Sequence, residues 1–220
     1  MREFTQADPY VWFDELYEKL RIEDRVVANA VVTAYGVGAD GHRDVRGIDV
    51  VDTESKESWT AFLRSLKKRR LASVKLAISD VHEGVKAAIA TVLQGASWQR
   101  CTVRFGRNIL APVPQNYKLE VAASLRSVFT QFSQVNAART VQDFGNVMVG
   151  RSRKRSRSTT TNPIEHLNRE IRRRARSIGI FPSEASALRI ITMVLIEQRE
   201  DWMSERRYMS PESLKLASAT

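Results

Sequence analysis

The stretch YVWFDELYEKLRIEDRVVANAVVTAYGVGADGHRDVRGIDVV, residues 10–51, carries the pattern that decides the fold. Tyr10–Leu16 is rich in aromatic residues and predicts a short strand that Asp14 closes. The β-branched run Arg25–Tyr35 is long enough for a strand buried on both faces. A glycine-rich hairpin signal follows, and Val45–Val51 supplies a third strand. Three consecutive strands with tight turns predict an antiparallel meander.

Beyond residue 55 the pattern alternates between helices and strands. Apolar residues at helical spacing predict two helices, one with Trp59, Phe62, Leu63 and Leu66 on its apolar side and one with Val85, Ala88, Ile89 and Val92. Between them, Val74–Ile78 predicts a fourth strand that ends at Ser79-Asp80, and Trp98–Val103 predicts a fifth that contains Cys101. The order βββαβαβ resembles the ribonuclease-H-like layout. This is an α/β fold in which helices flank a mixed sheet of three antiparallel strands plus parallel strands.

The remaining chain reads as a helical C-terminal part behind an irregular connector. Lys118–Phe132 predicts a helix, Val135–Phe144 is a further helical candidate, and Gly145–Thr161 predicts a loop or flexible connector. Asn162-Pro163 combines an N-cap residue with a proline at the first helical position and opens a helix. Pro182-Ser183 starts the next helix. The apolar residues expected on these two helices are Ile164, Leu167 and Ile171, and Leu188, Ile191, Val194 and Leu195.

These elements predict three regions. Residues 1–105 form a ribonuclease-H-like sheet core that carries Asp14 and Asp80. Residues 106–161 form a shortened helical insertion and a basic linker. Residues 162–220 form the C-terminal helices, including the one with Glu165.

The composition indicates a globular protein with an anionic partner. The 220 residues are 43% hydrophobic and 27% charged, with a net charge of +10, so neither a disordered chain nor a membrane protein is expected. Between Arg151 and Arg176 stand ten Arg or Lys residues and two Glu. Such an excess favours nucleic acid as the partner. The single cysteine fits a reducing compartment, and no leader or membrane span is expected, which predicts a cytoplasmic protein.

Three carboxylates stand where metal chemistry would need them. Asp14 closes the first predicted strand, Asp80 closes the neighbouring fourth, and Glu165 lies in the first turn of the basic helix. Hard oxygen ligands favour Mg²⁺ or Mn²⁺. Two such ions roughly 3.5–4 Å apart activate a water or a 3′-hydroxyl and stabilise the leaving oxygen of a phosphodiester.

Each of these residues also has a structural interpretation. Asp14 could be a solvated strand end, Asp80 the N-cap of the helix that follows, and Glu165 the acidic partner of Asn162 in a capping box. His82 is either a residue that supports Asp80 or part of a helix face. Cys101 in a strand is more often a small core residue than a metal ligand or a nucleophile.

Five segments together resemble the Mutator-type transposases of bacterial insertion sequences. They are YVWFDELYEKLR, LAISDVHEGVKAAIA, GASWQRCTVRFGRNIL, TNPIEHLNREIRRR and the tail GIFPSEASALRIITMVLIEQREDWMSERRYMS. The likeness runs in order through nearly the whole chain. It implies a ribonuclease-H-like catalytic domain with an Asp-Asp-Glu metal site.

The resemblance implies roles for individual residues. Asp14, Asp80 and Glu165 match the catalytic, metal-binding triad, with Mg²⁺ or Mn²⁺ as cofactor. His82 and Cys101 are residues that support it. Arg172, two turns beyond Glu165, matches the basic residue of that helix. The arginines expected to contact DNA phosphates are Arg169, Arg172, Arg173, Arg174 and Arg176. The expected partners are insertion-sequence ends and target DNA, with a homo-oligomer as the active state and the nucleoid as the place of action.

The chain also departs from the family pattern. The family usually has Cys-x-x-His after the fifth strand, whereas this chain has Arg104 in the position of the histidine, and His166 follows Glu165 where an Arg is usual. Asp14 comes only 13 residues after the start, and Phe105–Thr161 is shorter than the family's helical insertion. We therefore expect a truncated or internally deleted copy, whose activity as an enzyme is open.

Three functions follow from these observations. The first is the catalytic region of a transposase, which cleaves DNA and transfers strands with Mg²⁺. The second is a non-catalytic remnant that binds DNA or other transposase chains. The third, a nuclease of RNA–DNA hybrids, is disfavoured by the family resemblance.

Overall fold

The computed structural model describes residues 7–38, 40–52, 55–130, 162–204 and 207–209. The chain divides into two compact units. One combines Met1–Trp98 with Pro163–Thr220, and the other is Gln99–Asn162.

The first unit is built on a mixed sheet. The strands of the sheet are β1 (Tyr10–Ile22), β2 (Arg25–Val37), β3 (Arg43–Val51), β4 (Leu76–Ser79) and β5 (Ser97–Arg100), in the spatial order β3-β2-β1-β4-β5. The boundary between the units, after Trp98, falls within β5. The first three are antiparallel neighbours, and β4 runs parallel to β1. The predicted α/β class, the meander and the parallel return of the fourth strand are confirmed. This strand order is that of the ribonuclease-H-like fold.

β1 is longer than the sequence pattern predicted. It continues to Ile22, so Asp14 is its fifth residue and the expectation that Asp14 closes the strand is wrong. β1 pairs with β2 from Tyr10↔Val37 to Ile22↔Arg25. The turn between them consists of Glu23 and Asp24, both with positive φ (46° and 63°). A two-residue turn of this kind is usually marked by glycine, which this chain lacks here, so the hairpin was not visible in the sequence.

Two helices cover one face of the sheet. α1 (Lys56–Lys68) starts at Ser55, whose side chain accepts a hydrogen bond from the Ser58 N–H, and α2 is Glu83–Val92. Their buried residues are those that the sequence predicted: Trp59, Phe62, Leu63, Leu66, Val85, Ala88, Ile89 and Val92. They form one core with Val11 and Phe13 of β1 and Val32 and Ala34 of β2.

Gly47 of β3 allows α1 to approach the sheet closely. A Cβ atom at this position would lie 2.5 Å from Leu66 Cδ2 and 3.3 Å from the Phe62 ring. Both residues are buried and cannot move aside freely. We expect Gly47→Ala to lower the free energy of unfolding by about 1–3 kcal/mol, measured by denaturant titration. Gly106→Ala is the control, because its Cβ would meet only Leu125 Cδ2 at 3.3 Å. An equal loss in both variants would contradict this packing argument.

The C-terminal helices contact residues of the other sheet face. They are α5 (Asn162–Ile178) and α6 (Glu184–Ser204), and both were predicted. Trp202 of α6 lies edge-on to Tyr35 of β2, with ring centroids 6.0 Å apart. Side chains alternate along a strand, so Tyr35 points away from the α1 and α2 side to which Ala34 belongs. The buried residues of these helices include Leu167, Ile171 and Ala175 of α5, and Ala187, Ile191, Val194 and Leu195 of α6.

A polar network also links α6 to the sheet. Arg199 Nε donates to Asp44 Oδ1 (2.6 Å), and Arg46 donates to Asp44 Oδ2 (2.9 Å) and to the buried carboxylate of Asp8. Burial raises the pKa of Asp8 to about 6, and the positive charge of Arg46 opposes that rise. These contacts hold α6 on β3.

The second unit contains helices that the sequence did not fully predict. α3 (Thr102–Leu110) is followed by a 3₁₀ turn (Gln115–Tyr117) and α4 (Lys118–Thr130), which confirms the predicted helix at Lys118. The prediction of a strand through Val103 is wrong, because β5 ends at Arg100 and buried Cys101 immediately precedes α3. A short alternating run cannot be distinguished from the start of a helix by periodicity alone. The predictions for Val135–Phe144 and Gly145–Thr161 lie outside the described residues.

Candidate active site

Asp14 is buried inside the sheet core. It is 1% exposed, and its neighbour across the β1–β2 ladder is Thr33, whose Oγ1 donates to the Asp14 backbone oxygen (3.3 Å). Phe13 and Val11 belong to the core under α1 and α2. By strand alternation, the Asp14 side chain therefore points to the opposite face, where α5 and α6 make their contacts.

Asp80 lies directly after β4, beside β1. The parallel ladder runs from Tyr10↔Leu76 to Trp12↔Ile78. β4 ends at Ser79, so Asp80 is the first residue after the strand and lies two positions past the last ladder pair. Neighbouring strands lie about 4.8 Å apart. The fold thus places Asp80 at the end of the strand next to the one that carries Asp14, and the catalytic role of both residues stays a prediction.

In the loop after β4, Asp80 is not the residue at the N-cap position of α2. Asp80 Oδ1 accepts a hydrogen bond from the Val81 N–H (2.8 Å), and the His82 N–H donates to the Asp80 backbone oxygen (3.1 Å). α2 begins at Glu83 with His82 at the N-cap position, so the interpretation of Asp80 as the N-cap is wrong. Half-buried His82 lies in this loop, two residues from Asp80.

The edge of β1 beyond Asp14 is partly covered by the segment between α5 and α6. The Phe181 N–H donates to the Lys19 oxygen (2.9 Å), and the Arg21 N–H donates to the Phe181 oxygen (2.8 Å). The ladder with β4 ends at Trp12. Asp14 therefore lies on the stretch of β1 between these two pairings.

Helix α5 reaches Asp14 through Asn168. The Asn168 Nδ2 donates to Asp14 Oδ2 at 2.6 Å, although the two residues are 154 positions apart in the chain. Glu165 lies three residues earlier in the same helix, about one turn from Asn168. The Glu165 side chain lies outside the described part of the structure. Its capping box with Asn162 therefore stays a prediction.

The residues at this edge suit a hard divalent cation. Carboxylate and amide oxygens are the ligands that Mg²⁺ and Mn²⁺ accept. Asn168 Oδ1 is buried and has no hydrogen-bond partner, so its capacity to accept a hydrogen bond is unused. Within the described parts of the chain, no group of three or more His, Cys, Asp or Glu side chains is arranged to hold a metal. Among the described side chains, Asp14 and Asn168 are the pair that a hydrogen bond joins here.

Two of the five predicted DNA-binding arginines already pair with carboxylates. Arg173 donates to Glu170 (2.6 and 2.9 Å), and Arg174 donates to Glu170 (3.1 Å) and Glu197 (2.5 Å). These hydrogen bonds lower the pKa of Glu170 to about 2. A phosphate would have to compete with Glu170 and Glu197 for both guanidinium groups.

The other three arginines, Arg169, Arg172 and Arg176, are exposed. They stand at i, i+3 and i+7 and therefore share one side of α5. Burial raises the pKa of Glu18 on β1 above its ordinary value, and the charge of Arg172 opposes this rise. Arg172 therefore lies near β1, on the strand that carries Asp14.

The sequence interpretation missed Asn168. It stands between Leu167 and Ile171, both of which are buried, and a polar residue next to an apolar stripe was the available signal. Cys101 belongs to the second unit, so its predicted support of the carboxylates stays a prediction, as does that of His82.

The sheet order β3-β2-β1-β4-β5, with β4 parallel to β1, is that of a protein with a ribonuclease-H-like fold. The sequence model described as "Transposase, Mutator family" matches residues 1–154 and 149–205. The chain belongs to the Mutator family of transposases.

Curated relatives agree with this assignment. The transposase for insertion sequence element IS256 in transposon Tn4001 of Staphylococcus aureus is 34% identical over 229 aligned positions, which cover 92% of this chain and 58% of that protein. The transposase for IS1081 of Mycobacterium tuberculosis is 35% identical and covers 97% of this chain and 57% of its own length. The chain thus spans a little over half the length of these relatives.

Solved structures of similar shape include the HTLV-2 integrase catalytic core domain in complex with magnesium. It is 9% identical, covers 60% of this chain and 92% of its own, and has a TM-score of 0.29. A likeness at that TM-score supports no conclusion about this chain. Across the described helices, none is both long and apolar enough to cross a membrane.

Proposed function

We propose that this chain is the catalytic region of an insertion-sequence transposase, which cleaves DNA and transfers strands with the help of divalent cations. The observation that carries the proposal is the parallel pairing of β4 with β1, because Asp80 directly follows β4 and Asp14 lies on β1. The family supplies the expectation that Glu165 completes the triad. Its place one turn from Asn168, which contacts Asp14, supports that expectation.

The three carboxylates of the proposed site would bind the metal. Asp14 and Asp80 would hold Mg²⁺ or Mn²⁺ between them, and Glu165 would complete the site from α5. Bound there, the metal would activate the attacking water or 3′-hydroxyl and stabilise the leaving oxygen. Burial of Asp14 keeps bulk water away from one side of the site, which strengthens electrostatic interactions within it.

The DNA would lie along the exposed side of α5. Arg169, Arg172 and Arg176 present cationic groups on the helix that carries Glu165. Contacts of this kind bind phosphates without regard to base sequence and position the scissile phosphodiester. The proposed partners are insertion-sequence ends and target DNA in the nucleoid, with a homo-oligomer as the active assembly.

The proposal is tested by metal-dependent nicking. Purified chain is incubated with supercoiled DNA and with duplexes that carry element ends, in Mg²⁺, in Mn²⁺ and in EDTA. We expect nicks in the presence of Mg²⁺ or Mn²⁺ and none in EDTA. The same metals should raise the melting temperature, because a ligand that binds only the folded state stabilises it. A folded chain with neither nicking nor a melting shift at millimolar metal would refute the proposal.

A second candidate function is binding of DNA without cleavage. The exposed arginines of α5 favour it, because they need no metal to bind phosphate. The nicking assay separates the two functions when it is run beside a DNA-binding assay. Salt-sensitive binding with no cleavage in any metal would select this second function.

A further inference from the structure

Asn168 makes a hydrogen bond whose two partners belong to distant parts of the chain. Its Nδ2 donates to Asp14 Oδ2 at 2.6 Å, and this links α5 to the interior of β1. Asn168 is 6% exposed and Asp14 is 1% exposed, so water does not compete for the bond. A short bond from an amide to a buried carboxylate holds the carboxylate in one rotamer.

The same side chain carries an oxygen that the protein does not satisfy. Asn168 Oδ1 is buried and has no hydrogen-bond partner. A buried acceptor without a partner costs stability. On helix docking alone, an apolar residue would fit better here, because Leu167, Ile171 and Ala175 of the same helix are all buried. The bond to Asp14 accounts for the amide nitrogen, and the amide oxygen is better explained by a ligand than by packing.

We infer that Asn168 is a positioning residue for the divalent cation: its Nδ2 fixes the Asp14 carboxylate, and its Oδ1 is offered to the hydrated ion. The inference rests on the proposed function and adds a residue to it. An amide can donate to the ionised carboxylate and accept from water at the same time, which neither an apolar residue nor a lysine can do. Partners of this kind orient the ligands of metal sites elsewhere in proteins.

The test measures metal affinity rather than activity. Mn²⁺ binding to the full chain is followed by electron paramagnetic resonance and calorimetry for the parent and for Asn168→Leu. We expect the variant to fold, with a metal-free melting temperature below that of the parent, because the buried Asp14 carboxylate loses a hydrogen bond. We expect it to bind Mn²⁺ about 10- to 100-fold more weakly, the effect usual for residues that orient metal ligands.

Asn29→Ala is the matched control. Asn29 is also buried, at 2% exposure, and its amide donates to a carboxylate, Asp52 Oδ1, at 3.1 Å. It lies on β2 opposite Glu18, away from Asp14. This variant should lower the melting temperature and leave Mn²⁺ affinity unchanged. Equal weakening of Mn²⁺ binding in Asn29→Ala and Asn168→Leu would mean that any loss of a buried amide disturbs the site, and the inference would be wrong.

A second measurement uses the parent chain, so its result does not depend on whether the variant folds. In a ¹⁵N spectrum, substoichiometric Mn²⁺ should broaden the side-chain amide signals of Asn168 before those of Asn29. Broadening in the reverse order would overturn the inference.

The outcomes of these experiments distinguish failure of the inference from failure of the proposed function. If Asp14→Asn loses Mn²⁺ binding and Asn168→Leu keeps it within about twofold, only the inference fails. If the folded parent chain does not bind Mn²⁺, the proposed function and the inference both fail.

Discussion

Asp14→Asn and Asp80→Asn are each expected to reduce the rate of metal-dependent DNA cleavage by about 1,000-fold or more. Loss of a single catalytic side chain commonly reduces the rate of an enzyme by this amount. Each change keeps the size of the side chain and removes the negative charge that would hold the cation. At position 14 the asparagine oxygen can still accept the hydrogen bond from Asn168 Nδ2, so the local packing should survive. Cleavage is measured as the initial rate of nicking of supercoiled DNA.

Asp49→Asn serves as the matched control. Asp49 is on β3, where its Oδ1 accepts a hydrogen bond from the adjacent Val50 N–H (2.9 Å). This variant should cleave at the parental rate. Within the basic helix, Glu165→Gln should abolish cleavage and Glu170→Gln should affect it little. Parental activity in folded Asp14→Asn or Asp80→Asn would show that these residues do not carry the chemistry.

The arginines of α5 are expected to fall into two groups in DNA binding. Replacing Arg169, Arg172 and Arg176 together by Ala should flatten the dependence of log affinity on log salt by up to about 3 units, roughly 0.9 for each lost phosphate contact. Affinity at low salt should fall by about 10- to 100-fold. Replacing Arg173 and Arg174 should change the slope by less than about one unit, because Glu170 and Glu197 already engage them.

Binding is measured by fluorescence anisotropy on two duplexes of unrelated sequence across a salt series. Phosphate contacts predict the same loss on both duplexes, whereas a loss confined to one would indicate base recognition. A larger slope change for the Arg173 and Arg174 pair than for the other three would overturn the division. Absence of DNA binding by the parent chain at low salt would remove α5 as a DNA-binding surface.

Periodicity in the sequence determined most of the fold. The apolar stripes of α1 and α2 name the residues that the structure buries, and the strand order follows from three adjacent strands and a helical crossover. That the fourth strand lies parallel beside the first could be predicted, because a strand that returns through a helical crossover runs in the same direction as the strand before the crossover. The local sequence pattern is sufficient to predict these elements, because the spacing of the apolar residues indicates which face of each element is buried.

The sequence was less informative where two conformations share one local pattern. A Glu23-Asp24 turn with positive φ carries no glycine, so the extension of β1 past Asp14 was missed. The sequence predicted that the fifth strand continues through Val103, but the strand ends at Arg100 and α3 begins at Thr102.

Only the tertiary structure decided which polar side chains act together. The bond from Asn168 to Asp14 joins residues 154 positions apart, and the pairing of Arg174 with Glu197 joins two different helices. The sequence determined that α5 is basic, that it has an apolar side and that the strand before Asp80 runs parallel beside the strand of Asp14. It could not determine partners, because a hydrogen bond depends on how separate elements pack in space, and helical or strand periodicity fixes only the direction of each side chain about its own element.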